Sequence, residues 1–188
     1  MRSLFLRGVL MKISQNLRIA FAAIGILWLV YFLNLVLSID FRMYGLKPRR
    51  IDGLWGILAA PFLHGDIQHL TANTGVLFIL LAVSLSYNRA QALKAILTIM
   101  VLGGGMVWLL GAGGTLHIGA SGVIFGLIGY LMCLGLFRHN WKAVMISVVI
   151  SILYGGALLT LLVYVPGISW AGHFFGFISG VLAAWWIR

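Results

Sequence analysis

Ser121 stands in the run Gly119-Ala120-Ser121-Gly122, so small residues flank its hydroxyl and another backbone can approach it closely. His173 stands in Gly172-His173-Phe174-Phe175-Gly176, where Gly172, Gly176 and Gly180 recur every four residues. A serine hydroxyl is a poor nucleophile until a base takes its proton, and imidazole can do that near neutral pH. His69 and Asn73 are four residues apart, which puts both donors on one helical face, one turn apart. Together with backbone N–H groups around Ser121, Gly119 among the residues concerned, they are candidates to hold a developing oxyanion. A serine that opens a helix adds unpaired amides and the positive dipole end.

Each of these residues also has a plainer reading. Small residues four apart are the usual device for packing membrane helices, and a membrane serine usually bonds to its own helix. His69 with Asn73 reads equally as a polar clasp between helices, and His173 as a packing histidine, although ionisable residues inside a membrane lean towards function. His64 and His69 lack the spacing of a zinc-binding His-Glu-x-x-His, and no acid or cysteine completes a set, so no metal is expected. No other cofactor is expected. His117 either lines the entrance or faces water.

The elements that would carry these residues follow from composition. The chain has 188 residues, 62% of them hydrophobic and 9% charged, more apolar surface than a soluble domain of this length can hide. No linker divides it. The single cysteine, Cys133, excludes an intrachain disulfide. The net charge of +10 does not signal nucleic acid, because the basic residues sit singly between apolar spans. The acids are Asp40, Asp52 and Asp66, with no glutamate, and all lie in or beside one connecting region. Paired-carboxylate chemistry at membrane depth is thereby disfavoured.

Residues 1–16 read as a basic amphipathic segment on the membrane surface, with Arg2, Arg7 and Lys12 among apolar neighbours. Residues 17–188 read as an all-α polytopic membrane domain. Its spans are expected at Leu17–Ile39, Leu70–Ser86, Leu93–Leu110, Ala120–Phe137, Ala143–Val165 and Trp170–Ile187. Each is near the ~20 residues a helix needs to cross a bilayer. If the N-terminus is cytoplasmic, nine Lys and Arg residues lie inside and four outside, all four in the first loop around Lys47-Pro48-Arg49-Arg50. That balance puts both termini inside. The second, fourth and sixth spans then all enter from the outer face. His64, His69 and Asn73, then Ser121, then His173 mark those three entrances. Gly122, Gly126 and Gly129 make a strip matching that of Gly172, Gly176 and Gly180, so the fourth and sixth spans can lie close enough for Ser121 to meet His173. Phe125, one turn after Ser121, can pack on the imidazole. No aspartate is placed to orient His173, so a dyad is expected rather than a triad.

These motifs, taken together, resemble the rhomboid intramembrane serine proteases. The likeness covers the second to sixth spans. Gly45-Leu46-Lys47-Pro48-Arg49 through Gly53-Leu54-Trp55-Gly56-Ile57 is similar to the first-loop pattern of many bacterial members. Phe62-Leu63-His64, followed by His69-Leu70 and Asn73, is similar to the second-span motif. Gly119-Ala120-Ser121-Gly122 matches the nucleophile motif and Gly172-His173-Phe174-Phe175-Gly176 the general-base motif. The resemblance implies a six-helix rhomboid-like bundle with Ser121 as nucleophile, His173 as general base, His69 and Asn73 on the oxyanion side and His64 in support. It implies membrane-anchored substrates cut within or beside a transmembrane helix, a bilayer as partner, and a site towards the outer face of a bacterial inner membrane. Three positions depart from the common pattern: Gly56 where many members have arginine, Phe125 where many have tyrosine, and Gly172 in place of a common alanine. None removes a reacting group. The rival readings are a non-catalytic membrane-binding or chaperone protein of the same fold and, more distantly, a channel or transporter, disfavoured by the lack of a charged path.

Overall fold

The computed structural model describes residues 2–37, 39–163 and 167–187, with side chains from Leu10 onward. The side chains of Arg2 and Arg7 in the amphipathic segment, Val165 at the end of the fifth expected span, and Arg188 in the charge count therefore lie outside the described residues.

Helices make up most of the described residues. Helix α1 covers Arg2–Val36 without interruption at Asn16, where the sequence suggested a change from surface segment to span. Asn16 is buried, donating from Nδ2 to the Leu85 carbonyl at 3.1 Å and accepting from Arg89 Nε at 2.8 Å. An irregular loop follows, with single 3-10 turns at Phe41–Tyr44 and Ile51–Gly53, and the short α2 at Gly56–Ala59, continued by a 3-10 turn at Ala60–Phe62. Asp66 then caps α3, Ile67–Tyr87, by accepting from His69 N at 2.8 Å. Asn88 ends α3 and starts α4, Arg89–Thr98, its side chain accepting from Gln91 N at 3.1 Å. A π-helical turn at Ile99–Gly103 joins α4 to α5, Gly104–Leu110, making one continuous apolar span of 22 residues. Helices α6, Ser121–Arg138, α7, Trp141–Tyr154, and α8, Trp170–Trp186, complete the bundle, α7 continuing as a 3-10 segment over Gly155–Leu161.

Five of these segments are at least 18 residues long and apolar enough to cross a membrane, and α8, at 17 residues, is the sixth apolar helix of the expected set. The expected bounds hold to within a few residues for the second, fourth and sixth spans. Spacing alone did not show the π turn, nor the 3-10 ending of the fifth span.

Helix α6 is the axis of the molecule. Over its span 56% of the residues are buried, against 6% for the span containing α7, so α6 is enclosed by protein while α7 presents its side chains outward. Its burial depends on glycine. A Cβ at Gly176 or Gly180 would overlap the carbonyl oxygen of Gly122 or Gly126, and one at Gly129 would lie 2.5 Å from the Phe177 carbonyl oxygen. The two glycine strips meet, as their spacing suggests, with backbone against backbone. On the other flank of α6, Gly126 leaves room for Ile99 in the π turn.

The first loop is fastened to the segment preceding α6. Leu46 N donates to the His117 carbonyl at 3.0 Å, and His117 N returns the bond to the Leu46 carbonyl at 2.9 Å. Arg49, held at a left-handed φ of 58°, donates from its amide to the Trp108 carbonyl at 2.9 Å and from Nη1 to the Gly111 carbonyl at 2.7 Å. Trp108 Nε1 answers with a 2.8 Å bond to the Arg50 carbonyl. Gly56 faces the backbone of Gly45 and Leu46, where a Cβ would overlap main-chain atoms, so an arginine does not fit there in this chain. Asp52 pairs with Lys47 at 3.0 Å and with Arg50 at 2.8 Å, which holds its carboxyl down at about 2.

Candidate functional site

Ser121 is the first residue of α6, and the residue before it, Ala120, has no side chain able to cap. Among the described residues, the amides of Ala120, Ser121, Gly122 and Val123 have no hydrogen-bond partner, and the first paired amide is that of Ile124, bonded to Ala120 O at 3.0 Å. The serine hydroxyl thus lies at the end of a helix where unpaired donors converge. Gly119 is different. Its N–H is already given to the Ala60 carbonyl at 2.8 Å, so the free donors are those that follow it. Its φ of +106° is one that residues with a Cβ rarely adopt, and a Cβ there would lie 2.5 Å from His69 Nε2. Glycine at this position lets the His69 ring lie against the turn that leads into Ser121.

His173 sits one turn into α8 and is buried. Its ring stacks on Phe125 with centroids 4.0 Å apart and planes 13° from parallel, the contact expected from their positions. The adjoining backbones run close together, since a Cβ on Gly122 would already be in ordinary contact, 3.4 Å from the Gly172 carbonyl oxygen. The residues next to Ser121 and His173 therefore face each other across the seam of α6 and α8. No hydrogen bond joins Ser121 Oγ to His173 among the described residues, and His173 Nδ1 has no partner. No aspartate bonds to the imidazole among the described residues.

On the α3 side, His69 and His64 meet edge to face with centroids 5.0 Å apart. His64 is buried with both ring nitrogens unpartnered among the described residues, and burial, reinforced by the neighbouring His69, pushes it down to about 4. Asn73 is buried one turn below His69, and its Nδ2 donates to the His69 carbonyl at 2.9 Å, which uses one of its two N–H bonds within α3.

A cavity of about 60 Å³ opens beside Ser121, and its lining is mostly apolar. Gly119, Ser121, Gly122 and Val123 form one wall, Ile57 and Ala60 a second, and Gly103, Gly104 and Val107 a third. His173, Phe125, His69, Asn73 and His64 are not part of its lining. The candidate residues thus fall into three groups around the start of α6: the serine on the cavity, the stacked histidine on α8, and the His64–His69–Asn73 group on α3.

The sequence reading named His117 as lining the entrance or facing water, but two bonds at the site had no place in it. His117 and Ser169 both line the cavity, and they are joined side chain to side chain. The first loop braces the same turn through Leu46. Neither bond has a spacing signature, because the partners are 52 and 71 residues apart.

A serine on a cavity, at a helix start with unpaired amides and against a helix carrying a stacked histidine, is set here in a bundle whose described residues include five segments long and apolar enough to cross a membrane. The family model for the Rhomboid domain matches residues 52–188. The chain belongs to the rhomboid family. It is 38% identical over 171 residues to an uncharacterized protein of Mycobacterium tuberculosis, covering 86% of this chain and 71% of that one. It is 35% identical over 170 residues to an uncharacterized protein of Mycobacterium leprae, covering 86% and 67%. The Bacillus subtilis protein named "Putative rhomboid protease YdcA" is 30% identical over 167 residues, covering 84% and 81%. No solved structure matches the chain.

Proposed function

We infer that this rhomboid-family membrane protein is a serine endopeptidase that cleaves membrane-anchored proteins within or next to a transmembrane helix. The observation that carries the reading is the glycine-to-glycine contact of α6 with α8, which sets the Phe125-stacked His173 beside the residue pair Ser121–Gly122. In this mechanism His173 removes the proton from Ser121 Oγ as the oxygen attacks the scissile carbonyl carbon. The carbonyl oxygen takes up the negative charge and is held by the unpaired amides at the start of α6, with His69 and the free N–H of Asn73 as side-chain donors. His173 then gives the proton to the leaving amine, the C–N bond breaks, and an ester to Ser121 remains. Water, deprotonated by His173, hydrolyses that ester and restores the hydroxyl.

In the same reading both termini are cytoplasmic, and the site opens towards the outer face of a bacterial cell membrane, where water can reach it. The substrates are transmembrane proteins with small residues and locally unstable helix at the cleavage point. The test is active-site labelling. Purified parent protein is expected to react with a fluorophosphonate probe and to cleave a model transmembrane substrate, and Ser121→Ala to do neither. A parent that neither labels nor cleaves would return the chain to the non-catalytic, binding or chaperone class.

A further inference from the structure

His117 lies four residues before Ser121, and Ser169 four residues before His173. Their side chains are bonded, His117 Nδ1 to Ser169 Oγ at 2.6 Å, and His117 Nε2 meets Thr115 Oγ1 at 2.8 Å. The remaining bonds fix the direction of every proton in the group. Thr115 has one hydroxyl hydrogen, and it is given to the Ala112 carbonyl at 2.6 Å, an oxygen that can only accept. Thr115 Oγ1 must then accept from His117, so the imidazole carries its hydrogen on Nε2. Nδ1 is left as an acceptor, and Ser169 donates to it. Ser169 Oγ in turn accepts from Gly172 N at 3.1 Å, capping α8. The chain of bonds from Gly172 through Ser169, His117 and Thr115 to Ala112 is complete for a neutral imidazole. Burial favours that form, holding His117 below its ordinary value.

The glycine at 172 belongs to the same device. A Cβ at this position would lie 2.5 Å from Ser169 Oγ, displacing the hydroxyl from both the amide it caps and the imidazole it serves. The departure from the alanine common in the family's general-base motif therefore has a local cause: Ser169 needs the space. The clasp spans the two elements that no other side-chain hydrogen bond joins at this end of the bundle among the described residues, namely the turn entering α6 and the first turn of α8. The glycine strips set how closely these helices pack. The side-chain tie adds a hydrogen bond between the two elements at the serine-bearing end of α6.

We propose that the His117–Ser169 clasp is a positioning device that locks the serine-bearing turn to the start of the helix bearing His173, and so sets the approach of Ser121 to its base. The proposal rests on the protease reading, and its test has one arm that does not need catalysis. The first arm follows amide hydrogen exchange of residues 112–120 in detergent-solubilised full chain. His117→Ala and Ser169→Ala are each expected to speed exchange there by roughly ten-fold, about what one lost hydrogen bond of ordinary net strength gives. The second arm follows the fluorophosphonate labelling rate, expected to fall by roughly ten-fold in either variant. The double variant should lose no more than a single one, because both break the same tie, whereas independent roles would multiply to about a hundred-fold. Ser169→Thr keeps the hydroxyl and should retain parental values in both arms, while Gly172→Ala should behave as Ser169→Ala does with both clasp residues still present. Unchanged exchange in the single variants, or multiplying losses in the double, would overturn the clasp. A parent that does not label would sink the protease reading alone, leaving the exchange arm to decide whether the tie exists.

Discussion

Gly176→Ala separates a reading based on motif from one based on contact. The added methyl carbon would overlap the Gly122 carbonyl oxygen and lie 3.0 Å from its carbonyl carbon and 3.2 Å from its Cα. All three are main-chain atoms of α6, so no rotamer change can clear them. Ordinary contact begins at 3.4 Å, and α8 must therefore move away from α6 by roughly an ångström at the level of Ser121 and His173. Overpacking of this kind costs about 1–3 kcal/mol in stability. The catalytic loss should be larger in proportion, since a ~1 Å misplacement of reacting groups costs on the order of 10²-fold in rate. Gly105→Ala is the matched control: this glycine lies in α5 with nothing within 4 Å of where a Cβ would stand, so the change should leave the rate alone and raise stability by up to ~1 kcal/mol through helix propensity. Labelling rate and thermal midpoint in the same detergent measure both effects. The reasoning fails if Gly176→Ala keeps parental rate and midpoint, or if Gly105→Ala loses as much.

The stacking of Phe125 on His173 predicts a smaller and more selective loss. An aromatic pair contributes ~0.5–1.5 kcal/mol beyond its buried area, so Phe125→Leu should slow labelling by roughly three- to ten-fold and Phe125→Tyr, which keeps the ring, much less; equal rates for both variants would remove the ring from the positioning of the base. The buried His64 predicts a pH dependence of stability. The unfolded chain takes up its proton near 6.5 and the folded chain only near 4, so the folded state is fully favoured above 6.5 and loses that advantage as pH falls through this window. The thermal midpoint should decline between those limits, and a His64→Ala variant should show a flatter profile. Asp52 has the same sign but acts only below 3.8, so a decline confined to that lower range would assign the effect to the first loop instead.

What could be read from the sequence was whatever the residue types themselves encode. Glycine at every fourth position specifies close backbone approach, so the meeting of α6 with α8 was legible, and with it the neighbourhood of Ser121 and His173. Phe125 was legible for the same reason, being one helical turn from Ser121. Bonds between distant main-chain groups were not legible, because every residue carries the same N–H and C=O. The Leu46–His117 pairing, the Trp108–Arg49 brace and the Gly119–Ala60 bond all belong to this class. The left-handed φ of Gly119 was hidden in a motif whose other glycines serve packing, and the π turn at Ile99–Gly103 leaves an unbroken apolar run. The excess of positive charge in the first loop, anomalous when counted for topology, has structural uses. Arg49 ties the loop to α5, and Lys47 and Arg50 hold Asp52.

The distribution of acids argues for how a two-residue mechanism could operate here at all. Asp40 is paired with Arg42 at 2.8 Å, Asp52 with Lys47 and Arg50, and Asp66 caps α3, so each carboxylate of the chain has structural work away from His173. An imidazole usually owes its orientation to a hydrogen-bonded acceptor on its second nitrogen. His173 Nδ1 has none. Orientation must then come from the faces and edges of the ring: Phe125 stacks on one face, and the glycine strips fix the distance of the helix that carries it. Packing is sensitive to fractions of an ångström where a charged partner would be forgiving. A dyad held in this way needs its two helices registered at the serine-bearing end of α6, and that is the position of the His117–Ser169 bond.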